Sequence, residues 1–180
     1  LLRFVVQAAP DVLAASSTTL FNAPEAVRVR ISSHSHNVFT PQPIKGDVYL
    51  VRRIAHDTPA AEASAILRNQ LAPLKANYRA RIVLAVTVLP LPGSVDAREE
   101  ALLRMRDLAW MQVANGRERE VQDVEELLAQ ASDCEGRFVV KGRTKPPRCI
   151  MSVFEIMYQP YAREGAQVLN PRDQMCHRLT

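Results

Sequence analysis

The stretch Val48 to Pro59, VYLVRRIAHDTP, sets the reading of the whole chain. An apolar run ends in a basic pair and a His-Asp. Thr58-Pro59 then opens a helix, with Thr as N-cap and Pro at the first helical position. The segment therefore reads as a strand that passes into a helix. In an open α/β sheet, ligands bind outside the carboxyl ends of the strands. Arg52, His56 and Asp57 fall there. A guanidinium at that place can hold a carboxylate, and an imidazole can take a proton near neutral pH.

Downstream, Ala63, Ile66, Leu67, Leu71 and Leu74 recur at helical spacing. Arg81 to Leu89, RIVLAVTVL, is almost wholly apolar and rich in β-branched residues, the pattern of a buried parallel strand. Pro90-Leu-Pro-Gly93 ends it. Asp96 to Ala114 predicts a long helix. Its second half is apolar on most sides, so coverage on several faces is expected. Asn115-Gly116 stops it. Val121, Val124, Leu127 and Leu128 mark a shorter amphipathic helix. Arg137–Lys141 and Cys149–Tyr158 read as two strands joined by a Lys-Pro-Pro turn, hence antiparallel.

Upstream, Arg3–Gln7 is a short strand. Pro10–Ala15 has one or two helical turns, and Ser16–Thr19 reads as loop. Val27–Ile31 alternates apolar and polar, as a half-exposed strand does. Thr40-Pro-Gln-Pro is a loop. The expected order is β-α-β-β-α-β-α-α-β-β, and strands alternating with helices predict a mostly parallel sheet.

Composition narrows the classes. A chain of 180 residues, 47% hydrophobic and 23% charged, has the balance of a soluble globular protein and the length for one α/β domain. The net charge of +4 is scattered, with no basic block interleaved with aromatics, so no nucleic-acid partner is expected. No run of about 18 apolar residues predicts a membrane span, and no signal peptide is visible. Cys134, Cys149 and Cys176 lack metal-ligand spacing and suggest a reducing, cytoplasmic setting. His34 and His36 form an H-x-H without an evident third ligand, so no metal is expected.

Four blocks carry a family resemblance: FVVQAAP at 4–10, HNVFTPQPIKGDVYLVRRIAHDTP at 36–59, RIVLAVTVLPLPGS at 81–94 and RMRDLAWMQVANGRER at 104–119, with MSVFEI at 151–156 as a final strand. The chain resembles the S-adenosylmethionine-dependent O-methyltransferases of plant caffeate and fungal secondary-metabolite type. The resemblance implies a Rossmann-like class I methyltransferase α/β sheet, mostly parallel, with an antiparallel C-terminal strand pair. It also implies the C-terminal catalytic portion only, with the N-terminal strand and glycine-rich loop missing. Residues 1–160 would be the partial catalytic domain and 161–180 an extension.

The resemblance assigns roles by position. His56 matches the base that removes the acceptor's proton, and Glu118 an acid that positions it. Arg52 matches the residue holding the carboxylate of S-adenosylmethionine. Asn37 and Val38 match an acid-hydrophobe pair beside the adenine. Met105 and Met111 match a wall of the acceptor pocket. Four positions depart from the pattern: Ala8 stands where an acid grips the ribose, Asn37 replaces an acid, Thr58 replaces a Trp, and Val86 or Thr87 replaces an acid. The implied function is O-methyl transfer to a hydroxyl of a small phenolic or polyketide metabolite, with a homodimer in the full-length family form. The alternative is a catalytically inactive remnant acting as a binding or dimer-partner module.

Overall fold

The computed structural model describes residues 2–52, 58–146 and 149–162. A first unit pairs β1 (Phe4–Ala8) with β2 (Ile31–Ser35) in parallel, across helices α1 (Pro10–Phe21) and α2 (Glu25–Arg28). A four-stranded sheet follows, in the order β3-β4-β6-β5. Its strands are β3 (Val48–Arg52), β4 (Arg81–Thr87), β5 (Gly136–Thr144) and β6 (Met151–Pro160). Helices α3 (Ala60–Arg68), α4 (Leu71–Ala76), α5 (Ala97–Ala114) and α6 (Val121–Ala131) connect them.

Two expectations about this architecture are corrected. The larger sheet is not mostly parallel: β3 and β4 are parallel, but β6 runs antiparallel to both β4 and β5. The short β5–β6 turn forces β6 to reverse, and β6 then inserts between β5 and β4, so one reversed strand makes two antiparallel ladders. The N-terminal strand is also not missing, because the described chain opens with the strand-helix unit β1–α1. The turn between them runs through Ala9 into Pro10, which pre-sets the first helical residue.

Local corrections have local causes. Helix α1 runs through Ser16–Thr19, where the hydroxyls of Ser16 and Ser17 bond back to the carbonyls of Leu13 (2.9 Å) and Ala14 (2.6 Å) and so find partners within the helix. The alternating stretch at Val27 begins inside α2, which is entered from Pro24, and passes through a turn at Val29 and Arg30, so the strand starts only at Ile31. Thr58 is not the cap of α3; Pro59 holds that position without a side-chain cap. The helical run from Ala63 to Leu74 divides into α3 and α4.

The core lies between the sheet and helices α3, α4 and α6. Tyr49 and Val51 of β3, Ile82, Leu84 and Val86 of β4, and Phe154, Ile156 and Tyr158 of β6 point inward at period two. They meet Leu67 and Leu74 and the apolar stripe Val124, Leu127 and Leu128 of α6. Val48 and Leu50 emerge on the opposite face and are exposed.

The two sheets are joined by side chains. Gln7 and Gln42 exchange reciprocal amide hydrogen bonds at 2.8 Å, and Gln42 also reaches Gln70 at 3.4 Å. The Gln42 amide donates to the Asn69 carbonyl at 3.0 Å.

Candidate active site

At the carboxyl end of β4 the chain pairs with the loop that carries Glu118. Val88 forms a parallel bridge with Arg119, and the Leu89 amide donates to the Arg119 carbonyl at 2.9 Å. Arg119 is buried, and its guanidinium donates to the Thr58 carbonyl at 2.9 Å. Burial, then the like charge of Arg117, lowers its pKa, with Asp123 opposing. The Glu118 loop is thereby laid against Thr58, two positions after His56. His56 itself lies outside the described residues.

Glu118 is held from two sides by consecutive residues of α5. Its Oε1 accepts from Arg106 Nε at 2.7 Å, and its backbone amide donates to Asp107 Oδ1 at 2.7 Å. The side chain is fully buried, yet Oε2 has no hydrogen-bond partner among the described residues. Helix α5 is fixed in turn by its N-cap. Asp96 Oδ1 accepts from the amides of Arg98 (3.0 Å) and Glu99 (3.4 Å), and Arg104 donates to the Pro90 carbonyl at 2.8 Å. Asn115, in the left-handed conformation at φ 50°, ends it.

Helix α5 also borders a groove of about 800 Å³, within the range of small-molecule sites, whose walls do not include Arg106, Asp107 or Glu118. Leu102, Met105, Cys149 and Ile150 give it apolar walls, and Glu99 and Lys145, hydrogen-bonded to each other, stand at its rim. Met151 pairs with Thr87, the last residue of β4, so the groove lies at the sheet end where Glu118 sits. Met105 is among its walls and Met111 is not; both side chains are exposed. The expectation that α5 is covered on several faces is corrected: only Leu103 is buried, and Leu102, Leu108 and Val113 are exposed.

The other expected residues lie apart. Arg52 is the exposed last residue of β3. Asn37 and Val38 follow β2 in a turn in which Asn37 Oδ1 accepts from the Phe39 amide at 3.0 Å. The Val38 carbonyl accepts from Asn69 Nδ2 at 3.0 Å. No hydrogen bond among the described residues joins this turn to Arg52 or Glu118. Beside it, His36 Nε2 is buried without a partner. Arg106, Asp107, Lys145 and Cys149 were not singled out in the sequence. Arg106 and Asp107 lie inside the quoted RMRD block, but a 12-residue separation from Glu118 has no helical or strand period to expose it.

These residues suit parts of S-adenosylmethionine. The exposed Arg52 guanidinium suits a carboxylate, and Val38 with the orphaned His36 nitrogen suits an aromatic base with polar edges. The half-buried Ala8, at the end of β1, has no side-chain acceptor for a ribose.

The O-methyltransferase domain matches residues 2–132. The chain belongs to that family. The family match starts in β1 and runs through α1, so the resemblance is not confined to a C-terminal portion. The O-methyltransferase VdtC of Byssochlamys spectabilis is 43% identical over 130 residues, covering 71% of this chain and 30% of the relative. The O-methyltransferase fsr2 of Gibberella fujikuroi is 34% identical over 167 residues, covering 92% of this chain and 42% of the relative. The chain thus spans less than half the length of these two relatives. Among solved structures, one described as a pericyclic reaction enzyme matches with TM-score 0.69 and 27% identity, over 87% of this chain and 36% of the other. LepI in complex with SAM matches with TM-score 0.68 and 26% identity, over the same shares. The Rossmann-like methyltransferase architecture expected from the resemblance is shown, and S-adenosylmethionine is a ligand of a solved relative. Among the described residues, no helix is long and apolar enough to cross a membrane.

Proposed function

We propose that this chain serves S-adenosylmethionine-dependent O-methyl transfer to a hydroxyl of a small phenolic or polyketide metabolite. The observation that carries this reading is Glu118, buried with one oxygen unpartnered among the described residues, on a loop bonded to Thr58 at the carboxyl end of the sheet. When bound, the cofactor supplies an electrophilic methyl group on its sulfonium. Arg52 holds its carboxylate, and Asn37 and Val38 flank its adenine. His56 takes the proton of the acceptor hydroxyl. A phenol has a pKa near ~10 and a histidine near ~6.5, so the proton moves as the methyl group does, and placement counts for more than basicity. Glu118 orients that base. Two copies would pair through the exposed apolar side chains of α5.

A second reading, an inactive binding module, is favoured by Ala8 at the ribose position, and the pericyclic relative is a reminder that a fold does not fix a reaction. Calorimetric titration with S-adenosylmethionine, followed by turnover on a panel of phenols, separates the two. His56→Ala is expected to lower turnover about 100-fold or more with donor affinity kept. Arg52→Ala is expected to weaken the donor by about 2 kcal/mol. Near-parental turnover in His56→Ala would remove that residue from the mechanism. Donor binding with no methyl transfer to any phenol would favour the module.

A further inference from the structure

We propose that Arg106 is a positioning residue, which keeps Glu118 in the orientation of a hydrogen-bond acceptor with Oε2 free. The inference rests on the reading of Glu118 as the acid facing the base. It goes further by saying how that acid is held.

A carboxylate with no exposed surface needs a partner, because a buried charge left uncompensated takes up a proton or destabilises the fold. Glu118 has that partner on one side only. Arg106 Nε occupies Oε1 at 2.7 Å, and among the described residues nothing occupies Oε2. A carboxylate serving structure alone would be expected to have both oxygens satisfied. Here one oxygen is anchored and the other is left buried and open, the arrangement of a group meant to receive a proton donor from a ligand or a neighbouring side chain.

The anchoring is bidirectional along the chain. Asp107, next to Arg106 on α5, binds the Glu118 backbone amide at 2.7 Å, so one helical dipeptide fixes both the main chain and the side chain of Glu118. The other charges nearby are otherwise engaged. Arg117 pairs with Asp123 at 2.5 Å, Arg119 with the Thr58 carbonyl, and Glu120 lies 3.9 Å from Arg104. Among the described residues, Arg106 is the cation paired with Glu118. With Arg106 replaced, no cation among the described residues would hold Oε1, and the carboxylate could turn away from the orientation that keeps Oε2 open to an imidazole N–H.

The test uses the full chain with Arg106→Gln, Arg106→Lys, Glu118→Gln and the double variant Arg106→Gln/Glu118→Gln. With any acceptor that is turned over, Arg106→Gln is expected to lower kcat about 100-fold, the scale of a small misplacement, with KM for donor and acceptor kept. Arg106→Lys should recover much of the loss. In the Glu118→Gln background, Arg106→Gln should add less than about threefold, since the two act as one unit. A structural role would instead lower KM-independent yield of folded protein, and its cost would add to that of Glu118→Gln.

Infrared difference spectra need no turnover. The carboxylate stretch assigned to Glu118 by subtraction of Glu118→Gln should shift in Arg106→Gln, as the donor to Oε1 is lost. An unshifted Glu118 band in folded Arg106→Gln overturns the proposal, whether or not methyl transfer is detected. A shifted band with no methyl transfer by the parent sustains the clamp and counts against the proposed reaction.

Discussion

Asp133 shows how much one side chain can join. Its Oδ1 accepts from the Tyr158 hydroxyl at 2.8 Å and from the amides of Glu135 (3.1 Å) and Gly136 (3.0 Å). Its Oδ2 lies 2.5 Å from Lys75, which also reaches Glu135 at 2.9 Å. Burial pushes the Asp133 pKa up, but Lys75, the Tyr158 hydroxyl and the Glu135 amide outweigh it, and the net shift is downward. Burial pulls Lys75 down, Asp133 and Glu135 outweigh it, and the net shift is upward. The stability from Asp133 is therefore fully present above the unfolded carboxylate value of ~3.9, and it fades as pH falls through the lower folded value. That from Lys75 is fully present below ~10.4 and fades as pH rises through the higher folded value. Asp133→Ala is expected to lose about 3 kcal/mol of stability at neutral pH by urea unfolding, with the gap to the parent narrowing below pH ~4. Equal midpoints at neutral pH would refute it. None of this cluster was legible in the sequence, because Lys75, Asp133 and Tyr158 come from three elements and share no local pattern. At the candidate site, the strand-end position alone singles out Arg52, whereas Glu118 enters only through the blocks that resemble a family. The Arg106 and Asp107 grip on Glu118 was not.

Elements differ in how far their own residues decide them. The β3 and β4 runs, the Asp96 cap, the Asn115 stop and α6 follow from apolar period and end chemistry, and the structure has them within a few residues of expectation. Helices α1 and α2 were obscured by Ser-Thr content and by an alternation that fits either element. The direction of β6 relative to β4 is a tertiary fact: the apolar run of β4 reports burial on both faces, and burial does not record which way a neighbour points. At the β5–β6 pair, Gly136 meets a demand of space. A Cβ there would fall 2.6 Å from the Gln159 carbonyl oxygen and 2.6 Å from the Tyr158 hydroxyl. Because one of those atoms is backbone, Gly136→Ala must shift the ladder or the Tyr158–Asp133 bond, and a loss of about 2 kcal/mol is expected in thermal or urea unfolding. Parental stability would show that the strand pair yields more easily than close packing allows.

For the whole molecule, the uncovered surface is as informative as the core. Within the described residues, β1 and β3 each pair on one side only, and Val5, Val6, Val48 and Leu50 beside those edges are exposed, as are five apolar side chains of α5. Unpaired edges with apolar flanks template association. Sedimentation velocity is expected to show mass rising with concentration, and the pair Val48→Lys/Leu50→Lys is expected to reduce it. Parental protein that stays monomeric at high concentration would contradict this. The reciprocal amides of Gln7 and Gln42 carry a different consequence. Among the described residues the two sheets share no ladder, and this pair, with the bonds of Gln42 and Val38 to Asn69, forms a polar latch that water can replace bond for bond. The strand-helix unit at the front can therefore release while the larger sheet stays folded. Unfolding then has two steps with two free energies, and a single melting temperature for this chain reports only the step that the chosen probe can see.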